Sequence, residues 1–161
     1  MASVTAGYDG PAGDPSRYAP LAAAYAGAVG GYTLWFSRSG RRLPEHTPAG
    51  DLALLGVATF RLSRLISRDR VTSFLRAPFT RYEGNAPGPE VNEEPRGEGE
   101  RRSVGELLSC PFCVSVWAAT ALTGLYLAAP TAGRAAASLL AAVTISDGLQ
   151  YAETALHHAV T

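Results

Sequence analysis

The sequence predicts an all-α integral membrane bundle of three to four helices, and three observations carry that prediction. From Cys110 to Ala129 there are 20 residues without a charge, which at a helical rise of about 1.5 Å per residue matches the hydrocarbon thickness of a bilayer. Charge is segregated along the chain, nearly absent from 19–36, 110–133 and 135–146 and concentrated between 61 and 106. Arginine is segregated too: nine lie in 61–102 and one, Arg134, in the turn at 130–134, the asymmetry that places the richer segment in the cytoplasm.

Composition sets outer limits. With 161 residues, 47% apolar content, 17% charge and zero formal net charge, the chain is one domain at most. It has no global field that would draw nucleic acid, which is not expected as a partner. Every basic residue is arginine, and each arginine cluster flanks an apolar stretch, the pattern of a topology signal. Asp9 and Asp14 precede the first apolar run, unlike a cleaved signal peptide. The expectation is an uncleaved protein of the bacterial inner membrane.

Residues 1–17 hold Gly, Pro and small polar residues with little to bury, so a disordered tail is expected there. The single helical domain then fills 18–161. Its first helix, 19–36, ends in Tyr32, Trp35 and Phe36, aromatic types favoured at the membrane interface. Ala23, Gly27 and Gly31 recur every fourth residue, a stripe that would admit a second copy or another membrane helix, although small residues are also simply abundant here. A polar loop with Arg38, Arg41 and Arg42 follows, and Asp51 is the expected N-cap of a helix over 51–66.

That second helix has only nine uncharged residues before Arg61, from Leu52 to Phe60. It spans a bilayer only if Arg61 and Arg64 extend to the headgroups; otherwise it lies in the interface, and the bundle has three spans. Arg61, Arg64 and Arg68 share one helical face. A short cytoplasmic amphipathic helix near 70–77 places Phe74 and Leu75 on the membrane surface, with Pro78 as its stop. The stretch 83–102 carries six Glu, four Gly and three Pro, with Val91 its only larger aliphatic residue, so a disordered acidic loop is expected there. The central helix 110–129, a turn at 130–133 and a last helix over 135–156 complete the bundle. The segment 61–109 and the C-terminus then lie in the cytoplasm.

Two places could carry chemistry. Cys110-Pro111-Phe112-Cys113 opens the central helix, with proline where a missing N–H is tolerated and two thiols beside free backbone donors. A redox pair, half of a tetrahedral zinc site and plain packing are all compatible with two cysteines at this spacing. Zinc would require His46, His157 or the cysteines of a second protomer, and no other cofactor is implied. The second place is Asp147, costly in hydrocarbon and therefore a functional candidate, with Arg61 as its natural partner and Arg64 on the same face. No hydrolase triad, phosphate-binding loop or dinucleotide fingerprint is present, so the sequence gives a soluble-enzyme mechanism no support.

Several pieces taken together resemble a known family. They are Arg61-Leu62-Ser63-Arg64-Leu65, Asp69 with Val71 and Thr72, Arg76 with Pro78 and Phe79, and Cys110-Pro111-Phe112-Cys113 followed by Trp117. The resemblance, over about Asp51 to Tyr151, is to domain of unknown function 1360, a family of small bacterial membrane proteins that includes a Bacillus sporulation protein. It implies that the helix ending in the paired arginines spans the membrane, which favours four spans. It implies no biochemical activity. The long acidic stretch before Gly105 departs from the family pattern. The functional expectation is an interaction or assembly component in the lipid bilayer. Its alternatives are a membrane thiol-redox protein and a metal site shared between two copies.

Overall fold

The computed structural model describes residues 15–160. The expected tail lies almost wholly outside these residues; only its last three, Pro15 to Arg17, are described, and they belong to a single 3-10 turn, Pro15–Tyr18. Next come α1 (Ala19–Arg38), α2 (Ala49–Ser67), a 3-10 turn (Arg70–Thr72) and α3 (Ser73–Arg76). The strands β1 (Thr80–Asn85) and β2 (Val91–Pro95) lead to α4 (Gly99–Ser109), α5 (Pro111–Ala128) and α6 (Pro130–Val160).

The chain is mostly helical, and α2, α5 and α6 share its core. Leu55 and Ala58 of α2 meet Leu122 and Tyr126 of α5 and Ala137 of α6, with Leu54, Leu62, Leu127 and Leu140 packed around them. Ala58 and Ala137 have no exposed surface, so small side chains set how closely these helices approach, the usual device where helices pack without help from water. Against α5, Tyr25 of α1 stands edge-on to Trp117 with centroids 5.0 Å apart and shares a 2.8 Å hydrogen bond with Thr120. Tyr32 donates to the Gly124 carbonyl at 2.7 Å.

These pairings fix the relative directions. Tyr25 meets Thr120 and Tyr32 meets Gly124, so α1 and α5 run parallel; Asp51 meets Arg134 and Arg61 meets Asp147, so α2 and α6 run parallel. Residue 15, the hairpin, α4 and the end of α6 therefore gather at one end of the bundle. The 38–48 connection and the α5–α6 junction gather at the other.

Among the described residues, one helix, Pro111–Ala128, is long and apolar enough to cross a membrane, and only 28% of it is buried inside the molecule. The remaining long helices fall short of that apolarity, so length and composition by themselves single out one candidate span and do not by themselves support the expected three or four.

Three further expectations are corrected. Pro48, not Asp51, occupies the N-cap position of α2, without a side-chain capping hydrogen bond, and Asp51 lies in the first turn. The expected turn at 130–133 is helical: Pro130 begins α6 and Ala129 alone connects the two helices, since proline's fixed φ suits a first helical residue. The junction closes this tightly because Gly133 has no side chain; a Cβ there would sit 2.5 Å from Tyr126 Cα.

The largest correction concerns 83–102, which is ordered. An antiparallel hairpin pairs Thr80 with Pro95, Tyr82 with Glu93 and Asn85 with Val91, with a bulge between Tyr82 and Gly84. Gly88, at φ +69°, makes the turn possible. Val91 N–H donates to the Arg68 carbonyl at 2.9 Å and Arg70 N–H to the Pro89 carbonyl at 3.1 Å, which fastens the hairpin to the segment leaving α2. Helix α4 then closes over it, and a Cβ on Gly105 would fall 2.5 Å from the Phe79 carbonyl oxygen. Little apolar area is buried here, so ionic and hydrogen-bonding groups hold this part in place.

Candidate functional site

The arginine face of α2 is where bundle and hairpin meet. One helical period sets Arg61, Arg64 and Arg68 in a row, and each finds a different acceptor. Arg61 Nη1 lies 2.8 Å from Asp147 Oδ2 on α6, and its Nη2 lies 3.5 Å from Asp69 Oδ2. Arg64 grips Glu90 with both ends of its fork, Nε to Oε1 at 2.7 Å and Nη2 to Oε2 at 2.6 Å. Arg68 reaches Asn92 at 3.3 Å. Asp69 also accepts from Val71 N–H at 3.0 Å, so it caps the 3-10 turn while facing Arg61. Beside this cluster a cavity of about 530 Å³ opens between Arg61, Asp69, Pro89, Asp147 and Tyr151.

Behind it sits Arg76, whose side chain is wholly buried. Its five N–H donors meet five acceptors. Nε and Nη2 take the two Glu93 oxygens at 2.8 and 2.9 Å. Nη1 donates to the Ile66 carbonyl at 2.7 Å and to Thr72 Oγ1 at 2.8 Å, and Nη2 to the Asp69 carbonyl at 3.0 Å. Thr80 Oγ1 adds a 2.7 Å contact to Glu93 Oε2, and the Thr72 hydroxyl donates to the Leu65 carbonyl. A buried charge is tolerable only when paired and fully hydrogen-bonded, and this one ties the end of α2, the elbow and β2 into one unit. Sequence reading placed Arg76 in the elbow without a role; its signals were a lone arginine between Phe74 and Phe79 and its place among the pieces that carry the family resemblance.

The thiols stand at the same end of the bundle. Cys110 caps α5, its sulfur accepting from Cys113 N–H at 3.3 Å, and Cys113 Sγ lies 2.7 Å from Cys110 Sγ. Both cysteines are free, Cys113 exposed and Cys110 half-buried. Nearby, Arg17 Nη2 meets Glu106 Oε2 at 2.8 Å and Tyr18 Oη at 2.6 Å. Hydrogen bonding to Tyr18, helped by the Glu106 charge, holds the Arg17 guanidinium above its ordinary range, so it stays charged. Among the described residues no three His, Cys, Asp or Glu side chains gather where a metal could be held, so neither His46 nor His157 completes a set with the cysteines.

At the far end, Asp51 accepts from Arg134 Nη2 at 2.6 Å and from Tyr126 Oη at 2.7 Å. This lock between α2, α5 and α6 was legible only as two isolated charges at matching ends of two apolar runs. The stripe Ala23, Gly27 and Gly31 faces away from the bundle, and a Cβ on either glycine would meet nothing within 4 Å.

Over 71 residues, 42% of this chain, the sequence is 41% identical to Sporulation protein YjcA of Bacillus subtilis (strain 168). The match takes in 60% of that protein's length, so the chain spans less than two thirds of this relative. No solved structure matches. The sequence profile of the family described as protein of unknown function (DUF1360) matches residues 54–153. That range contains the arginine face, the Arg76–Glu93 pair, both cysteines and Asp147, and the chain belongs to that family.

Proposed function

We propose that this protein is an assembly component of the bacterial inner membrane, in which α1, α2, α5 and α6 span the bilayer and the hairpin with α4 forms a cytoplasmic docking head. The observation that carries the reading is the apolar outer surface of the bundle. Leu34, Val57, Phe60, Val116, Leu139 and Ile145, drawn from all four helices, are exposed, an arrangement suited to lipid. At 18 to 20 residues, α1, α2 and α5 are about 27–30 Å long. With 31 residues α6 is longer, so its last turns stand beyond the bilayer beside the head.

Orientation follows from the four-helix arrangement. Ten arginines, Arg17 and the nine in 61–102, lie at the head end against four at the other, Arg38, Arg41, Arg42 and Arg134, which assigns the head to the cytoplasm. The outward stripe of Ala23, Gly27 and Gly31 is then the face for a second copy or another membrane helix. Similarity to a sporulation protein supports a part in sporulation.

The test combines membrane extraction with site-specific photo-crosslinking in the host. The protein should resist alkaline carbonate, and a crosslinker at Glu94 on the exposed side of the hairpin should give one discrete adduct. Release by carbonate would overturn the membrane reading, and an empty crosslinking pattern at Glu94 and Tyr82 would overturn the docking head.

A second reading, thiol redox work by Cys110 and Cys113, is favoured by the adjacency of two free thiols at the start of α5. Thiol counting before and after a mild oxidant tests it, with a chelator arm to detect zinc shared between two copies.

A further inference from the structure

Cys113 opens into an apolar cavity of about 460 Å³ between α1, α4 and α5, whose walls include Leu21, Tyr25, Val116 and Trp117. A second apolar groove of about 270 Å³ continues between α1 and α5 from the same Tyr25 and Trp117 to Tyr32 and Leu125. Together they make an aromatic-lined chamber with a narrower apolar channel leading away along the helices. The chamber's size is that of a small-molecule site, and its polar end holds Cys113, Tyr18 and Glu106, with Cys110 Sγ beside Cys113 Sγ.

We infer that this chamber takes the ring of a membrane quinone, its isoprenoid tail lying in the α1–α5 groove, and that Cys110 and Cys113 are its electron donors. The inference rests on the thiol-redox reading and supplies its oxidant. A flat apolar ring suits walls built from Tyr25 and Trp117. The reaction balances as a two-electron exchange. One cysteine sulfur, as thiolate, attacks the quinone ring, and the second attacks that sulfur, forming the S–S bond and expelling the electron pair onto the ring. The two thiol protons end on the ring oxygens, so dithiol plus quinone gives disulfide plus hydroquinone.

The experiment uses the full chain, reduced and freed of reductant, in lipid nanodiscs without oxygen. Decylubiquinone is the probe because its fully substituted ring resists permanent thiol addition. One hydroquinone should form for each two thiols lost, and Cys110→Ser or Cys113→Ser should each abolish it. Ala22→Trp, which fills the chamber from α1, should slow the quinone reaction at least tenfold relative to the same variant's rate with diamide. An intrachain disulfide with diamide but no hydroquinone, or an Ala22→Trp ratio equal to the parent's, overturns the quinone site while the redox reading stands. If diamide also fails to join the two cysteines, both fall.

Discussion

Arg61 is held between two carboxylates, Asp147 of α6 at 2.8 Å and Asp69 at 3.5 Å, and its side chain is 14% exposed. The pair makes the end of α2 and the later turns of α6 a single unit, with the cavity opening between them. Removing one partner strands the other in a poorly solvated site. Arg61→Gln and Asp147→Asn should each lower stability in detergent by about 1–3 kcal/mol, while the double variant should lose less than their sum. Chemical unfolding of the four proteins measures this, and strict additivity would show that the pair is uncoupled.

The Arg76–Glu93 pair should behave more severely. Its guanidinium has no exposed surface and makes five hydrogen bonds, so Glu93→Gln leaves a buried charge short of its partner, at a cost of about 3–5 kcal/mol. Hydrogen exchange should then accelerate in β1, β2 and the elbow while α5 keeps its protection. Uniform acceleration along the chain would mean that the head is not a separate unit.

At the opposite end, Asp51→Asn should loosen the junction of α2 with α5 and α6, because it removes the charge that accepts from both Arg134 and Tyr126. Protease nicking near Ala129 should increase, and adding Arg134→Gln should produce little further change. Independent, cumulative effects would argue against a shared lock.

A substitution at Gly105 tests the seating of α4. Gly105→Ala puts a Cβ 2.5 Å from the Phe79 carbonyl oxygen and 3.1 Å from Pro95 Cβ, and overpacking of this kind costs about 1–3 kcal/mol. Gly148→Ala, which meets nothing within 4 Å, is the matched control. Equal stability of the two variants would refute the close packing of α4 on the hairpin.

Orientation is checked by accessibility. In a chain whose native cysteines are Ser, a cysteine at Asn92 should be protected from an impermeant maleimide in intact cells and one at Thr131 should react, as the distribution of arginine requires. The reverse pattern would invert the protein in the membrane.

The helical segments and the arginine row could be read directly because both are written in short-range periodicity: uncharged runs of helical length, and Arg61, Arg64 and Arg68 on one face. The short elbow near Asp69 was likewise marked by local caps and by Pro78. The sequence also singled out Asp147 and Arg61 as charges beside apolar stretches, whereas the distance between them is a property of how α2 and α6 pack.

Tertiary structure alone decided the rest. The stretch 83–102 lacks the apolar content that marks a strand, yet a hairpin forms there because Arg64, Arg68 and Arg76, many residues away, supply partners for Glu90, Asn92 and Glu93. The same holds for Asp51 with Arg134 and Arg17 with Glu106, whose partners lie 83 and 89 residues distant. Apolar periodicity is a local signal that each helix carries by itself. The partner of a charge is whichever opposite charge the folded chain brings near, and that choice is made only when the helices pack.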